Sequence, residues 1–432
     1  MNTVWEQIAA RGGISPRRAR TYGLVFLGAG LLIFLLFAHV TTADQTTTFD
    51  LTLGKTSRAL PLPDLTFPTT TALYGLVLAC VFAGGWQLAR GFRRVNLALG
   101  MVATLFVLAF LTWAARDRSL NITGLLSSSL LRAVPIALAA LSGVLCERCA
   151  VINIAIEGMM ITGAFAAALM GSVAANVWGW PAWAALPFGL VSALAVGALL
   201  GLLLAVLAVR FKVDQIIAGT AINILGVGIT SFLSARILTK FQYLNNPGIF
   251  PRVSIPLLSS IPIIGPVFFE QNVLVYILFV LLAVIHVMLF YTRWGLRTRA
   301  VGEHPRAADT LGINVFKTRY INVMLGGMVA GLGGAFLILG SVGRFDELMT
   351  AGKGFIGLAA MIFGKWMPFG AFGSALIFGF ADALQTKLAI LEVPIPSHFL
   401  LMAPYLVTMI VLAGVVGEAI PPAADGQPYE KQ

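Results

Sequence analysis

The chain has 432 residues, 58% of them hydrophobic and only 11% charged, with a formal net charge of +11. This composition excludes a water-soluble core, and because the basic residues are scattered through short loops between apolar runs, it gives no footing for nucleic-acid binding. What it requires is an all-α, polytopic membrane protein, built from runs that approach the roughly 20 residues needed to cross the hydrocarbon layer as helix.

Residues 1–20 carry several arginines and precede an apolar run at 22–40. That run is too long for a signal-peptide core and lacks a small-residue cleavage site, so it reads as a retained first helix. Further runs fall near 71–88, 95–115, 124–145, 154–177, 183–209, 214–235, 272–292, 318–341, 354–364, 367–386 and 398–416, which predicts about 11–12 transmembrane segments. Residues 354–364 span only about half a bilayer and are expected to be tilted, partial or re-entrant. The larger share of the 29 Lys and Arg falls on one side when loops alternate, which puts both termini in the cytoplasm. Of the two long outer loops, 41–70 is rich in Thr, Asp and Pro. Its Gly54-Lys55-Thr56 resembles the end of a phosphate-binding loop but has Phe49 where a glycine is required. The other, 238–271, holds Pro247, Pro251, Pro256, Pro262 and Pro266 and predicts an irregular or short-helical cap. In the longest cytoplasmic loop, 293–319, Pro305 suits a first helical turn, Arg306 to Leu311 can continue it and Gly312 can close it. A short amphipathic helix with Ala307, Ala308 and Leu311 on one side is the expectation, and a solvated basic connector is the alternative.

Catalysis finds no support. His39, His286, His304 and His398 are dispersed without metal-ligand spacing, and no Ser/His/Asp set suggests itself, so neither catalytic nor metal residues are assigned. Cys80 lies inside an apolar run, and Cys146 and Cys149 form a Cys-x-x-Cys without the βαβ context of a redox pair, which leaves packing as their role. Transport has more to stand on. Residues 147–161 put ionisable groups between two apolar runs, and a carboxylate near the bilayer centre costs roughly 2.5–3.5 kcal/mol. Asn153 and Glu157 are four apart and share a helix face. Thr220, Asn223, Thr230 and Ser231 fall within an arc of about 100° on the seventh segment. Such groups either line a path for a polar solute or bond between helices. For Glu157 the structural alternative is an ion pair, with Arg148 as the candidate partner, and Asp382 poses the same choice. Gly197 with Gly201, and Gly327 with Gly331, point to close helix packing.

Several stretches together resemble one known family. They are Arg132-Ala-Val-Pro-Ile-Ala-Leu-Ala-Ala-Leu141, Glu147-Arg148, Val151-Ile-Asn-Ile-Ala-Ile-Glu157-Gly158-Met159-Met160, Gly219-Thr220-Ala221-Ile222-Asn223, Gly302-Glu303-His304-Pro305-Arg306-Ala307-Ala308 with Gly312-Ile313, and Gly352-Lys353-Gly354-Phe355 with Gly364-Lys365-Trp366-x-Pro368. The family is that of permease subunits of binding-protein-dependent ABC importers, in the group handling ribose, branched-chain amino acids and nucleosides, and the chain is most similar to the nucleoside type. The resemblance implies a permease core at 116–416, an N-terminal extension at 1–115 with two or three helices and a long outer loop, and a cytoplasmic tail at 417–432. It further implies that the chain is a transport subunit and not an enzyme, with no cofactor of its own and ATP on a partner ATPase. Gly302, Glu303, His304, Pro305, Arg306, Ala307, Ala308, Asp309 and Gly312 would form the ATPase-coupling loop. Asn153, Glu157, Thr220, Asn223, Thr230 and Ser231 are the solute-path candidates. The implied partners are a cytoplasmic ABC ATPase, a second permease in a heterodimer, an extracytoplasmic binding protein and membrane lipid. The implied location is the prokaryotic plasma (inner) membrane. Two departures stand out: Cys146 and Cys149 replace small residues, and the first 115 residues are additional. The competing readings are a ribose or branched-chain amino acid permease of the same group, or a self-sufficient secondary transporter or channel using Glu157 and Asp382.

Overall fold

Long apolar runs become long helices here, as the cost of unsatisfied backbone in hydrocarbon demands. The structure, a computed structural model, describes residues 16–53, 59–391, 393, 402 and 419–431. Among these, nine helices are long and apolar enough to cross a membrane. Apart from Met402, the expected run at 398–416 lies outside the described residues, as do the Gly54-Lys55-Thr56 tripeptide and His398.

Contacts divide the chain into two units, Met1–Leu125 with Ser260–Ile263 and Thr386–Leu400, and Leu126–Ser259 with Ile264–Gln385 and Leu401–Gln432. In the first, helices α1 (Pro16–Ile33), α2 (Thr69–Ala89) and α3 (Val95–Ala114) pack around Phe26, Ile33, Leu73, Cys80 and Val102. The described parts of the Thr-rich loop after α1 contribute to a small sheet. Strands β1 (Thr46–Asp50), β2 (Leu65–Pro68) and β3 (Ser119–Asn121) form a sheet in the order β2-β1-β3. Strand β1 runs antiparallel to β2, with Thr46 opposite Pro68, and parallel to β3, with Asp50 opposite Asn121. Branched Thr side chains favour this pleated geometry, and buried Thr47 ties the sheet to the helices through Thr69 Oγ1 (2.8 Å) and the Thr112 carbonyl (3.0 Å).

The second unit holds α4 (Ile122–Glu147, whose first residues belong to the first unit), α5 (Ile156–Ser172), α6 (Ala182–Ala205), α7 (Gln215–Leu233), α8 (Val273–Tyr291) and α11 (Val315–Leu337). Several of these helices start on side-chain caps that satisfy their first N–H groups. Asp214 accepts from Ile216 and Ile217 on α7, Asn272 from Val275 on α8, and Asn314 from Lys317 on α11. Helices α6 and α11 cross backbone to backbone on the two glycine pairs anticipated in the sequence. A Cβ on Gly201 would lie 2.7 Å from the Val323 carbonyl, and Gly197 and Gly327 face each other's carbonyls. The proline-rich loop between α7 and α8 holds short 3₁₀ turns at Gln242–Asn245 and Leu258–Ser260. It also holds an antiparallel strand pair, β4 (Arg252–Ser254) with β5 (Glu270–Asn272).

The half-length segment is α12 (Lys353–Phe363), 11 residues and so about 16 Å long at 1.5 Å per residue. Left-handed residues flank it, Ala351 and Gly352 before, Lys365 and Trp366 after. They turn the chain sharply before α13 (Pro368–Ile390) begins on a proline. The loop at 293–319 resolves into α9 (Arg293–Glu303) and α10 (Pro305–Thr310), and Gly312 closes the turn with φ +80°.

Candidate functional site

The segment between α4 and α5 carries the charges that the sequence could not place, and each is answered by backbone or by indole. At the end of α4, buried Glu147 accepts a 2.6 Å hydrogen bond from Trp366 Nε1. Its neighbour Arg148 donates through Nε to the Trp366 carbonyl (3.1 Å) and through Nη2 to the Lys365 carbonyl (3.4 Å), and its guanidinium lies 5.6 Å from the Phe290 ring centre. Burial lowers the Arg148 guanidinium from its usual value, and the Glu303 charge opposes that. Glu157, in the first turn of α5 and 8% exposed, accepts from Gly352 N at Oε1 (2.8 Å) and from Gly354 N at Oε2 (2.6 Å). These N–H groups open α12, where a helix N-terminus attracts negative charge. Glu157 is therefore held by a helix end, and Arg148, the partner considered from the sequence, is engaged on the far side of the same helix. The residues from Glu147 to Glu157 thus hold α12 at both ends.

This grip explains the Gly-Lys-Gly that precedes α12. Gly352 adopts φ +77°, and a Cβ on Gly354 would lie 2.7 Å from both the backbone and the carboxylate of Glu157. Any side chain there would push the carboxylate off the helix end.

Asn223 serves the same segment from α7. Its Oδ1 accepts from Gly158 N (2.7 Å) and its Nδ2 donates to the Ile154 carbonyl (2.8 Å), so one carboxamide bridges the backbone break ahead of α5. Gln215 does likewise for Ile152 N at 2.7 Å. Asn153 is fully buried; its Nδ2 approaches Cys146 Sγ at 3.3 Å while its Oδ1 has no hydrogen-bond partner. Cys146 and Cys149 are buried free thiols, and burial pushes Cys149 up to about 12, which keeps it protonated and unreactive at neutral pH.

The remaining polar candidates on α7 are satisfied differently. Thr220 Oγ1 donates to the Ile216 carbonyl (2.8 Å) and Thr230 Oγ1 to the Gly226 carbonyl (2.8 Å), each within its own helix. Thr220 is exposed, Thr230 buried and Ser231 half-buried. The 100° arc therefore does not act as one stripe, since Asn223 and Thr230 face inward and Thr220 outward. Asp382 pairs with Arg132 at 2.8 Å.

At the coupling loop, Ala308 packs against Val301, Val315 and Tyr429, whereas Arg306, Ala307 and Leu311 are exposed, Leu311 by 82%. The expected apolar side of α10 thus splits, because only Ala308 meets the core. The others form an open surface of mixed basic and apolar character. Sequence reasoning missed Trp366 as the partner of Glu147, and it missed Tyr429 altogether, since neither position stands out from its neighbours without the fold. Among the described residues no group of His, Cys, Asp and Glu is arranged to hold a metal ion.

A family model described as "Branched-chain amino acid transport system / permease component" matches residues 125–416. The guanosine ABC transporter permease protein NupQ of Bacillus subtilis is 44% identical over 308 residues, covering 70% of this chain and 95% of that protein. The nucleoside ABC transporter permease protein NupC of Lactococcus lactis is 41% identical over 315 residues, covering 71% and 96%. A putative glucose ABC transporter permease protein of Haloferax volcanii, TsgC13, is 34% identical over 268 residues, covering 61% and 77%.

Proposed function

The chain belongs to the family of branched-chain amino acid transport system permease components, and from that membership we propose that its solute is a nucleoside. It is the multi-pass permease component of an ABC importer. The observation that carries the nucleoside reading is the 44% identity with a guanosine permease over 95% of that protein's length.

The partner set in this reading is a cytoplasmic ATPase that holds the ATP, a second and different permease chain, and an extracytoplasmic binding protein that delivers solute. This chain carries no cofactor, sits in the inner membrane and keeps both termini in the cytoplasm. The coupling loop runs from Gly302 to Gly312, and the open face of α10, with Arg306, Ala307 and Leu311, is its contact with the ATPase. ATP-dependent closure of the ATPase moves α10, and the helices around the path re-orient by alternating access.

Among the solute-path candidates, Thr220 and Ser231 are the hydroxyls with room to meet a nucleoside. Glu157 and Asn223 act by fixing the helix ends that border the path, and Asn153 and Thr230 act as buried packing groups behind it. Exposure supports the division: Thr220 is exposed and Ser231 half-buried, whereas Asn153, Glu157, Asn223 and Thr230 are buried.

Proteoliposomes holding this chain with its partner permease, ATPase and binding protein test the reading. ATP-dependent uptake of labelled guanosine in preference to glucose and leucine is expected. Uptake of glucose or leucine alone would overturn the solute. Gradient-driven uptake by the purified chain without ATP would overturn the dependence on partners and favour a secondary transporter.

A further inference from the structure

Residues 419–431 follow the permease core, and nothing in their composition suggests a fixed position, yet they are fastened along their length to the coupling loop and to the α4 end. Ala423 N donates to Glu303 Oε2 (3.1 Å) and Ala424 N to the Gly302 carbonyl (3.0 Å). Gln427 offers its carbonyl to Arg319 Nη1 at 3.0 Å, and Arg319 is only 1% exposed. Tyr429, itself buried, donates to Asp309 Oδ2 on α10 (2.8 Å) and packs its ring 5.4 Å from that of Phe316. Glu430 pairs with Lys212, and Lys431 reaches Asp309 at 4.0 Å. Gly426 packs against the Ile152 side chain just past α4, and Gly302, whose carbonyl the tail holds, lies against the carbonyl of Arg148, the residue that bonds the Lys365 and Trp366 carbonyls at the end of α12.

A continuous chain of contacts therefore runs from α10 through Tyr429 and the tail to Gly302, then through Arg148 and the Trp366 carbonyl to α12. The covalent route from α10 to α12 passes instead through the whole of α11, about 34 Å of helix at 1.5 Å per residue for its 23 residues. Packed side chains and hydrogen bonds with two discrete arrangements are what carry movement between distant sites.

We propose that the C-terminal segment Ile420–Lys431 is a strap that makes α10 and α12 move as one body, so that a push on the coupling helix reaches the clamped half-helix. The proposal rests on the reading of α10 as the ATPase contact. Tyr429 and the backbone of Ala423 and Ala424 are positioning groups in it, and none is assigned to touch solute.

The test uses the assembled complex in lipid nanodiscs. Spin labels go on Leu311→Cys, beside α10, and Phe355→Cys, on α12, both exposed positions at 82% and 48%. The interlabel distance is read with and without ATP and vanadate. The full chain is expected to give one narrow distribution in both states. A chain ending at Ala419 is expected to broaden or split once nucleotide is trapped, and Tyr429→Phe, which retains the ring packing, to broaden less. ATP hydrolysis is expected to persist in both while solute moved per ATP falls several-fold, a ratio that a merely structural loss of complex would leave unchanged. Equal distributions in full and shortened chains, whether or not nucleotide shifts them, overturn the strap. The underlying coupling-loop reading fails separately, by co-purification of the ATPase with a chain whose Arg306 to Ala308 is replaced by a flexible linker.

Discussion

Two sets of polar side chains lie within membrane helices or at their ends in this protein, and they are satisfied in opposite ways. Around α12, Glu147, Arg148, Glu157 and Asn223 bond to groups far away in sequence, chiefly backbone N–H and carbonyl groups where helices stop. On α7, Thr220 and Thr230 return their hydroxyls to carbonyls four residues back in the same helix. The first set closes breaks in the helical ladder that hydrocarbon would otherwise make intolerable. The second set costs the fold little and closes nothing, which leaves its exposed member, Thr220, open to solute. A charge in a membrane sequence is thus no sure sign of a solute site, because an unfinished helix end creates an equally strong demand for one.

The contrast breaks first at Glu157. Glu157→Ala leaves the Gly352 and Gly354 N–H groups without their charged acceptor, and each such bond is worth about 1.5–3 kcal/mol. A loss of roughly 3–6 kcal/mol is expected in detergent-resistant thermal unfolding, with Glu157→Gln losing less. Gly354→Ala attacks the same contact from the helix side and is expected to cost about 1–3 kcal/mol through overpacking, with uptake falling in step with stability. A smaller effect is expected from pH at the tail. Burial raises Asp425 from 3.8 to about 6, against the opposing charge of Arg319 and with Glu147 and Cys149 also nearby. A carboxyl raised in the docked state favours docking while protonated. Protection of the tail from proteolysis should therefore be greatest below the ordinary carboxyl value, weaken as pH rises toward about 6 and level off above it. Asp425→Asn should remove that slope and hold the tail more tightly at neutral pH. Smallest is Thr220→Val, where a stability change within about 0.5 kcal/mol is expected, while the apparent affinity for labelled guanosine weakens. An equal fall in stability would place Thr220 in the first set.

The fold was largely legible because apolar runs of membrane length leave the backbone few options. Helices α2 to α8 and α11 begin and end within a few residues of the expected runs, α12 has the expected half length, and the glycine pairs on α6 and α11 meet. The outer loops were less legible, since β1 pairs with a strand some 70 residues away and that partner leaves no periodicity of its own. At the marker segment, the sequence flagged the right residues by their cost but could not choose their partners. Glu157 is matched by two N–H groups, which every residue but proline possesses and no sequence pattern displays. The inward turn of Ala308 alone was hidden for a similar reason, because the surface it meets includes Tyr429, over 100 residues downstream.

The central claim is that the segment from Glu147 to Glu157 holds α12 at both ends. Its most direct test is amide hydrogen exchange in nanodiscs over residues 352–356, compared between the native chain, Glu157→Ala and Arg148→Ala. Slow exchange in the native chain, strong acceleration in Glu157→Ala and little change in Arg148→Ala is the predicted result, since each residue secures its own end. Unchanged exchange at 352–356 in Glu157→Ala would contradict the account.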